Sequence, residues 1–294
     1  MDQAESLRNI IKKREIDEKK RTARVITVTS GKGGVGKTSF SVNLAIQLHR
    51  LGKRVVVLDA DFGLANIEIM LGIRPKYNLA DLMFRGKSIQ DVITYGPEGI
   101  GLSGGSGINE MANLNREQVF WLIQKMEELD KQADVIIVDT GAGIGDSVLE
   151  FVAASEEVLL VATPEPTSIT DAYALLKALN RNSSYMPEKT VVKMIANQVR
   201  GKKEADELFQ KLGVVVNKFL DIDIDYLGAI PYDVNMQRAV MHQKPLSVAD
   251  PDALASQSVE KIALSLLDME KEKPRAVGIK QLFSNVIRMK FNRR

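Results

Sequence analysis

Residues 31–39 read GKGGVGKTS, and this stretch decides the fold. It satisfies G-x-x-x-x-G-K-[ST], with Gly31, Gly36, Lys37 and Thr38 in the defining places. A β-branched run, VITVTS at 25–30, stands directly before it, and the helical pattern SFSVNLAIQLHRLG follows. Strand, glycine loop and helix in that order make a cradle for phosphate. The glycines let backbone N–H groups curl round the oxygens with no Cβ in the way, and the helix N-terminus adds its positive dipole end. In such a loop Lys37 reaches β and γ oxygens and the Thr38 hydroxyl holds Mg²⁺. Gly33, Gly34, Val35 and Ser39 complete the expected nucleotide-contacting set.

Outward from the loop, short apolar runs alternate with helical patterns, the order of a doubly wound α/β protein. Strands are predicted at 25–30, 54–60, 134–140, 157–163, 190–197 and 226–230, and helices over 115–131 and 202–217. Several runs are apolar throughout rather than alternating, which predicts a mostly parallel sheet covered by helices on both faces. Residues 96–110, rich in glycine, read as a surface loop. No internal repeat is present, so the expectation is one ATPase-type domain over 25–270, with an arm at 1–24 and a linker and helix at 271–294.

The net charge is only +2, but it is unevenly placed. Residues 1–24 carry eight Lys or Arg against five acids and residues 271–294 eight against one, which leaves 24 basic against 32 acidic over 25–270. An acidic body argues against nucleic acid as a partner, whereas the basic tail suits an acidic surface such as anionic lipid. Cysteine is absent, which excludes disulfides, thiolate nucleophiles and cysteine-held clusters. His49 and His242 are isolated and make no metal site. No run of eighteen apolar residues occurs and the N-terminus is charged, so the chain is expected in the cytoplasm, visiting the inner face of the cell membrane peripherally.

Lys32, directly after the first glycine, completes a string that closely resembles the KGGxGK[ST] signature of the deviant-Walker ATPases, the MinD/ParA family. That resemblance implies ATP or ADP with Mg²⁺, slow hydrolysis, and a homodimer in the ATP-bound state. Lys32 would cross to the partner's nucleotide and supply transition-state charge in trans, as an arginine finger does. The segment 59-DADFGLAN-66 is similar to the family's switch I, which gives Asp61 the attacking water and Asp59 the magnesium shell; either carboxylate would also serve to cap a turn. In 135-VIIVDTGAGIG-145, Asp139 would bind Mg²⁺ and Gly143 would offer its N–H to the γ-phosphate, although Gly141 stands where relatives often carry proline. Asn197 and the run IPYD, with Pro231, Tyr232 and Asp233, lie where the family grips adenine. Strand-end Asn and Pro are also ordinary turn chemistry.

The two arms carry further expectations. Ile279, Leu282, Phe283, Val286 and Ile287 recur at helical spacing with Arg288 and Lys290 as basic companions, the pattern of a membrane-surface helix. Docking of the same stripe on the body is the alternative. At the other end, DQAESLR, with Asp2, Gln3, Ala4, Leu7 and Arg8, is similar to an activator motif in the flagellar-number branch of the family. That similarity implies an FlhF-type GTPase and flagellar C-ring proteins as partners, and control of flagellar number and placement. A division-site ATPase of the MinD type and a DNA-partitioning ATPase of the ParA type are the alternatives.

Overall fold

The computed structural model describes residues 22–61, 66–103, 116–270 and 278–292. The run before the glycine loop is strand β1 (Arg24–Ser30), buried at every position. The other strands are β2 (Val55–Ala60), β3 (Ile93–Tyr95), β4 (Gly101–Ser103), β5 (Val135–Ala142), β6 (Glu157–Ala162), β7 (Val191–Val199) and β8 (Ile224–Pro231). They form one sheet in the order β3-β4-β2-β5-β1-β6-β7-β8. Every pairing is parallel except β3 with β4, where Ile93 stands opposite Ser103.

The continuous apolar character of the central strands has its reason in the layers. On one face the side chains of Val28, Val57, Ile137 and Val161 meet the helices Lys37–Arg50 and Leu254–Glu270. On the other, Val25, Leu58, Ile136 and Leu160 meet the helices Arg116–Gln132, Asp146–Ala154, Pro166–Asn180 and Lys202–Phe219. Both faces are dry, so both sets of alternating side chains are apolar. The expected α/β class and six of the eight strands are as the sequence predicts. The antiparallel edge of β3 and β4 is a correction: each strand is 3 residues long, too short for periodicity, and β4 falls inside the stretch read as loop.

The last helix, Ile279–Asn292, differs from the expectation of a separate terminal arm. Ile279, Leu282, Phe283, Val286 and Ile287 are all buried in the core cluster, packed against Arg116–Gln132 and Asp146–Ala154. The Phe283 ring meets Phe151 edge-on at 5.8 Å. The expectation that these five side chains face lipid is therefore corrected for this conformation, in which they face the body. Burial of each is worth about 1.5–3 kcal/mol before ordering costs, enough to hold the helix in place. Asp130 caps its start, accepting from the N–H groups of Ile279 at 2.8 Å and Lys280 at 3.3 Å. Lys290 pairs with Glu150 at 3.5 Å, while Arg288 is exposed.

Strand β1 lies between β5 and β6, so the chain turns one way after β1 and later returns on its other side. The carboxyl end of β1 is thus the topological switch point, where open α/β sheets place their ligands. The glycine loop emerges there.

Candidate nucleotide site

Residues 31–36 run from β1 into the helix Lys37–Arg50. Two glycines are required by geometry. A Cβ on Gly31 would run into the backbone of Asp171 and Ala172, and Gly36 has φ of 86°, in the left-handed region, with the Asn197 side chain against it. The helix begins at Lys37 with no side-chain cap, so its first N–H groups remain directed at the loop.

Asp139, at the carboxyl end of β5 and 1% exposed, is the centre of the cluster. Lys37 Nζ lies 3.1 Å from Oδ1, and the Thr38 hydroxyl donates to Oδ2 at 2.7 Å. Ser41 Oγ is 2.8 Å from Oδ1. Sequence reasoning missed Ser41; its signal was a hydroxyl one helical turn beyond Lys37. Asp59 is the register partner of Asp139 on the neighbouring strand β2, and its Oδ1 accepts from the Asp61 N–H at 3.0 Å. Burial pushes the Asp59 carboxyl up to about 7, with the Asp139 and Asp61 charges adding and the Asp61 N–H opposing. The site thus holds two buried carboxylates and one lysine, which pairs with Asp139, and the donor set of Thr38, Asp139 and Asp59 is hard oxygen throughout. Mg²⁺ fits it, because that ion typically takes one or two carboxylates and completes its shell with phosphate and water.

Asp61, the residue after β2, reaches towards the carboxyl end of β5. Asn66 Nδ2 donates to it at 3.4 Å, and its Oδ1 stands 3.4 Å from where a Cβ on Gly141 would lie. The small residue at 141 leaves that approach open. Residues 62–65 of the switch I segment are outside the described residues. Gly143 differs from expectation: its N–H donates to the Ser30 carbonyl at 2.9 Å, so in this conformation it is committed to the sheet and not presented to a phosphate.

Beside the loop lies a pocket of about 300 Å³ lined by Gly34, Gly36 and Ser39 on one side and by Asn197, Pro231, Tyr232 and Asp233 on the other. The predicted base-binding residues are thus brought together next to the phosphate cradle. Phe40, Met236 and Val240, which the sequence reading did not single out, give the pocket its apolar floor and wall. Asp233 caps the helix Val234–Met241 by accepting from Asn235 N–H at 2.8 Å, so its carboxylate is a structural group at the pocket wall.

Lys32 does not join the Asp139 cluster. Its Nζ donates to Glu165 Oε2 and Thr167 Oγ1, both at 2.8 Å, and so rests on the start of the helix Pro166–Asn180 of its own chain. Asp2, Gln3, Ala4, Leu7 and Arg8 lie outside the described residues. Among the described residues no helix is long and apolar enough to cross a membrane.

Known proteins resemble this chain over most of its length. The ParA family model, described as NUBPL iron-transfer P-loop NTPase, matches residues 21–267. The Antiactivator FleN of Pseudomonas aeruginosa is 46% identical over 241 residues, which are 82% of this chain and 85% of that protein. The Flagellum site-determining protein YlxH of Helicobacter pylori is 33% identical over 97% of this chain and 96% of its own. Among solved structures, a chain of the MinC:MinD cell division protein complex of Aquifex aeolicus aligns with a TM-score of 0.65 and 26% identity, over 84% of this chain and 96% of that one. The chain has no cysteine with which to hold an iron–sulfur cluster.

Proposed function

The chain belongs to the ParA/MinD family of P-loop NTPases, and from that premise we propose that it is a Mg-ATP-dependent dimerising switch that governs flagellar number and placement. The carrying observation is the convergence of Lys37, Thr38 and Ser41 on Asp139 beneath a loop cleared of Cβ atoms, with a purine-sized pocket alongside. When bound, Mg²⁺ neutralises phosphate charge, and Thr38 and Asp139 are the groups that hold it, with Asp59 behind them. Lys37 orients the β and γ oxygens. Asp61 orients the attacking water and accepts its proton.

In this reading Lys32 leaves Glu165 and Thr167 to meet the nucleotide of a second subunit, so dimer formation and completion of the catalytic charge are one event. The N-terminal motif DQAESLR engages an FlhF-type GTPase, C-ring proteins are the assembly target, and the basic C-terminal segment engages anionic lipid. The flagellar role is supported by the likeness to FleN and YlxH.

The test is light scattering with ADP and with ATP. Lys37→Gln is expected to lose ATP binding and stay monomeric, whereas Asp61→Ala is expected to bind ATP and accumulate as a dimer. A Lys37→Gln protein that dimerises as the parent does would remove the nucleotide gate. Addition of an FlhF-type GTPase, with and without residues 1–21, then tests the arm by the change in GTP turnover.

A further inference from the structure

Strand β7 carries one residue too many where it passes the base pocket. Asn197 is paired with Ile230 and Val199 with Pro231, neighbours on β8, so Gln198 is the extra residue of a bulge. Its φ is 58°, which makes it one of three described non-glycine residues in the left-handed region. Successive side chains of a regular strand leave on opposite faces. Here the bulge turns both Asn197 and Gln198 into the same pocket.

The two amides are then in different situations. Asn197 is buried and its Nδ2 donates to the Val35 carbonyl at 2.7 Å, so it braces the glycine loop from behind. Gln198 is exposed at the rim, and no described residue hydrogen-bonds its amide. Its Nε2 stands 3.7 Å from where a Cβ on Gly36 would lie, at the junction of phosphate loop and base pocket. A left-handed glutamine costs backbone energy, and such strain persists where surrounding structure holds it for use.

We propose that Gln198 is a base-discriminating residue, its amide pairing with the amino-bearing edge of adenine while Asn197 acts as the brace. An amide offers a donor and an acceptor side by side, which matches N7 and the 6-amino group of adenine. Hypoxanthine and guanine present acceptors at both places, so one half of the pairing turns repulsive. The inference rests on the nucleotide reading above and adds the residue that selects the base.

The experiment is calorimetric titration of the full chain with ATP and with ITP, for the parent and for Gln198→Gly. Glycine keeps the left-handed backbone and removes the side chain that carries the amide. The expected result is an ATP Kd raised about tenfold with ITP changed less than about twofold, so that the ATP:ITP preference collapses. Equal changes for both nucleotides, or none, would overturn the proposal and leave Gln198 a bulge residue alone. Should Gln198→Gly not fold, Gln198→Asn, which also tolerates this φ and shortens the amide by one methylene, gives the same ratio to read. A parent protein that binds neither nucleotide would overturn the nucleotide reading itself.

Discussion

Both ends of the sheet bury charge, but in opposite proportions. At the amino end Glu157 is gripped by Arg24, at 2.8 and 2.9 Å, and by Lys193 at 2.6 Å, so one carboxylate has two cations. Arg24 also donates to the Leu266 carbonyl at 2.8 Å. Burial would raise the Glu157 carboxyl, yet the two cations override it and hold it down at about 2. At the carboxyl end the ratio is reversed, with two carboxylates to one lysine, and Asp59 is driven up to about 7. In the first cluster every charged group meets a counter-charge, whereas in the second Lys37 meets Asp139 and Asp59 is left to burial. A buried charge group that is closed serves the fold; one left with an excess of oxygen serves a ligand.

The comparison breaks first at Glu157. Glu157→Gln leaves Arg24 and Lys193 buried without a counter-ion and is expected to destabilise by roughly 3–5 kcal/mol, read by chemical denaturation. Its pH signature follows from the shift. The native carboxyl titrates at about 2 against 4.5 unfolded, so its contribution is present above pH 4.5 and is lost as pH falls towards 2. A variant that keeps the parent's acid limb would show the cluster to be inert.

The second test is Asp59→Asn in the nucleotide-free protein. Asp59 keeps its proton to about pH 7 in the native state against 3.8 unfolded, so its contribution falls as pH rises through that window. The amide is therefore expected to flatten that slope and raise stability above pH 7 by about 1–2 kcal/mol, while weakening Mg²⁺-dependent ATP binding. Loss of stability at pH 8 would place Asp59 with the structural charges. The smallest effect is expected from Asp130→Ala, which removes the cap of the last helix and should cost about 1 kcal/mol, with faster amide exchange at Ile279 and Lys280.

What the sequence made legible was what it states locally. Gly31 and Gly36 are demanded by backbone, and Asp59 and Asp139 close apolar strands, so the loop and its carboxylates could be read directly. The Glu157 cluster could not, because Arg24 stands 133 positions away and nothing local announces a partner at that distance. The stripe from Ile279 to Ile287 has the same spacing whether it meets lipid or a helix, and only tertiary contact with Phe151 distinguishes them. Lys32 was legible as a signature residue, but its rest on Glu165 required the fold to bring the two together. The bulge at Gln198 carries no glycine and so gave no warning.

The docking of the last helix has a consequence for how this protein can be cut. Ile279, Leu282, Phe283, Val286 and Ile287 share one cluster with Leu122, Met126, Leu129 and Phe151 of the body. Departure of the helix therefore bares two greasy surfaces at once, one on each side of the seam. A truncated chain ending before residue 278 would not be the same protein minus an appendage. It would be an amputated core with a sticky wound, prone to precipitate or to bind lipid and chaperones indiscriminately. Point changes at Asp130 or Lys290, which loosen the seam without skinning it, are the sounder instruments for asking when that helix lets go.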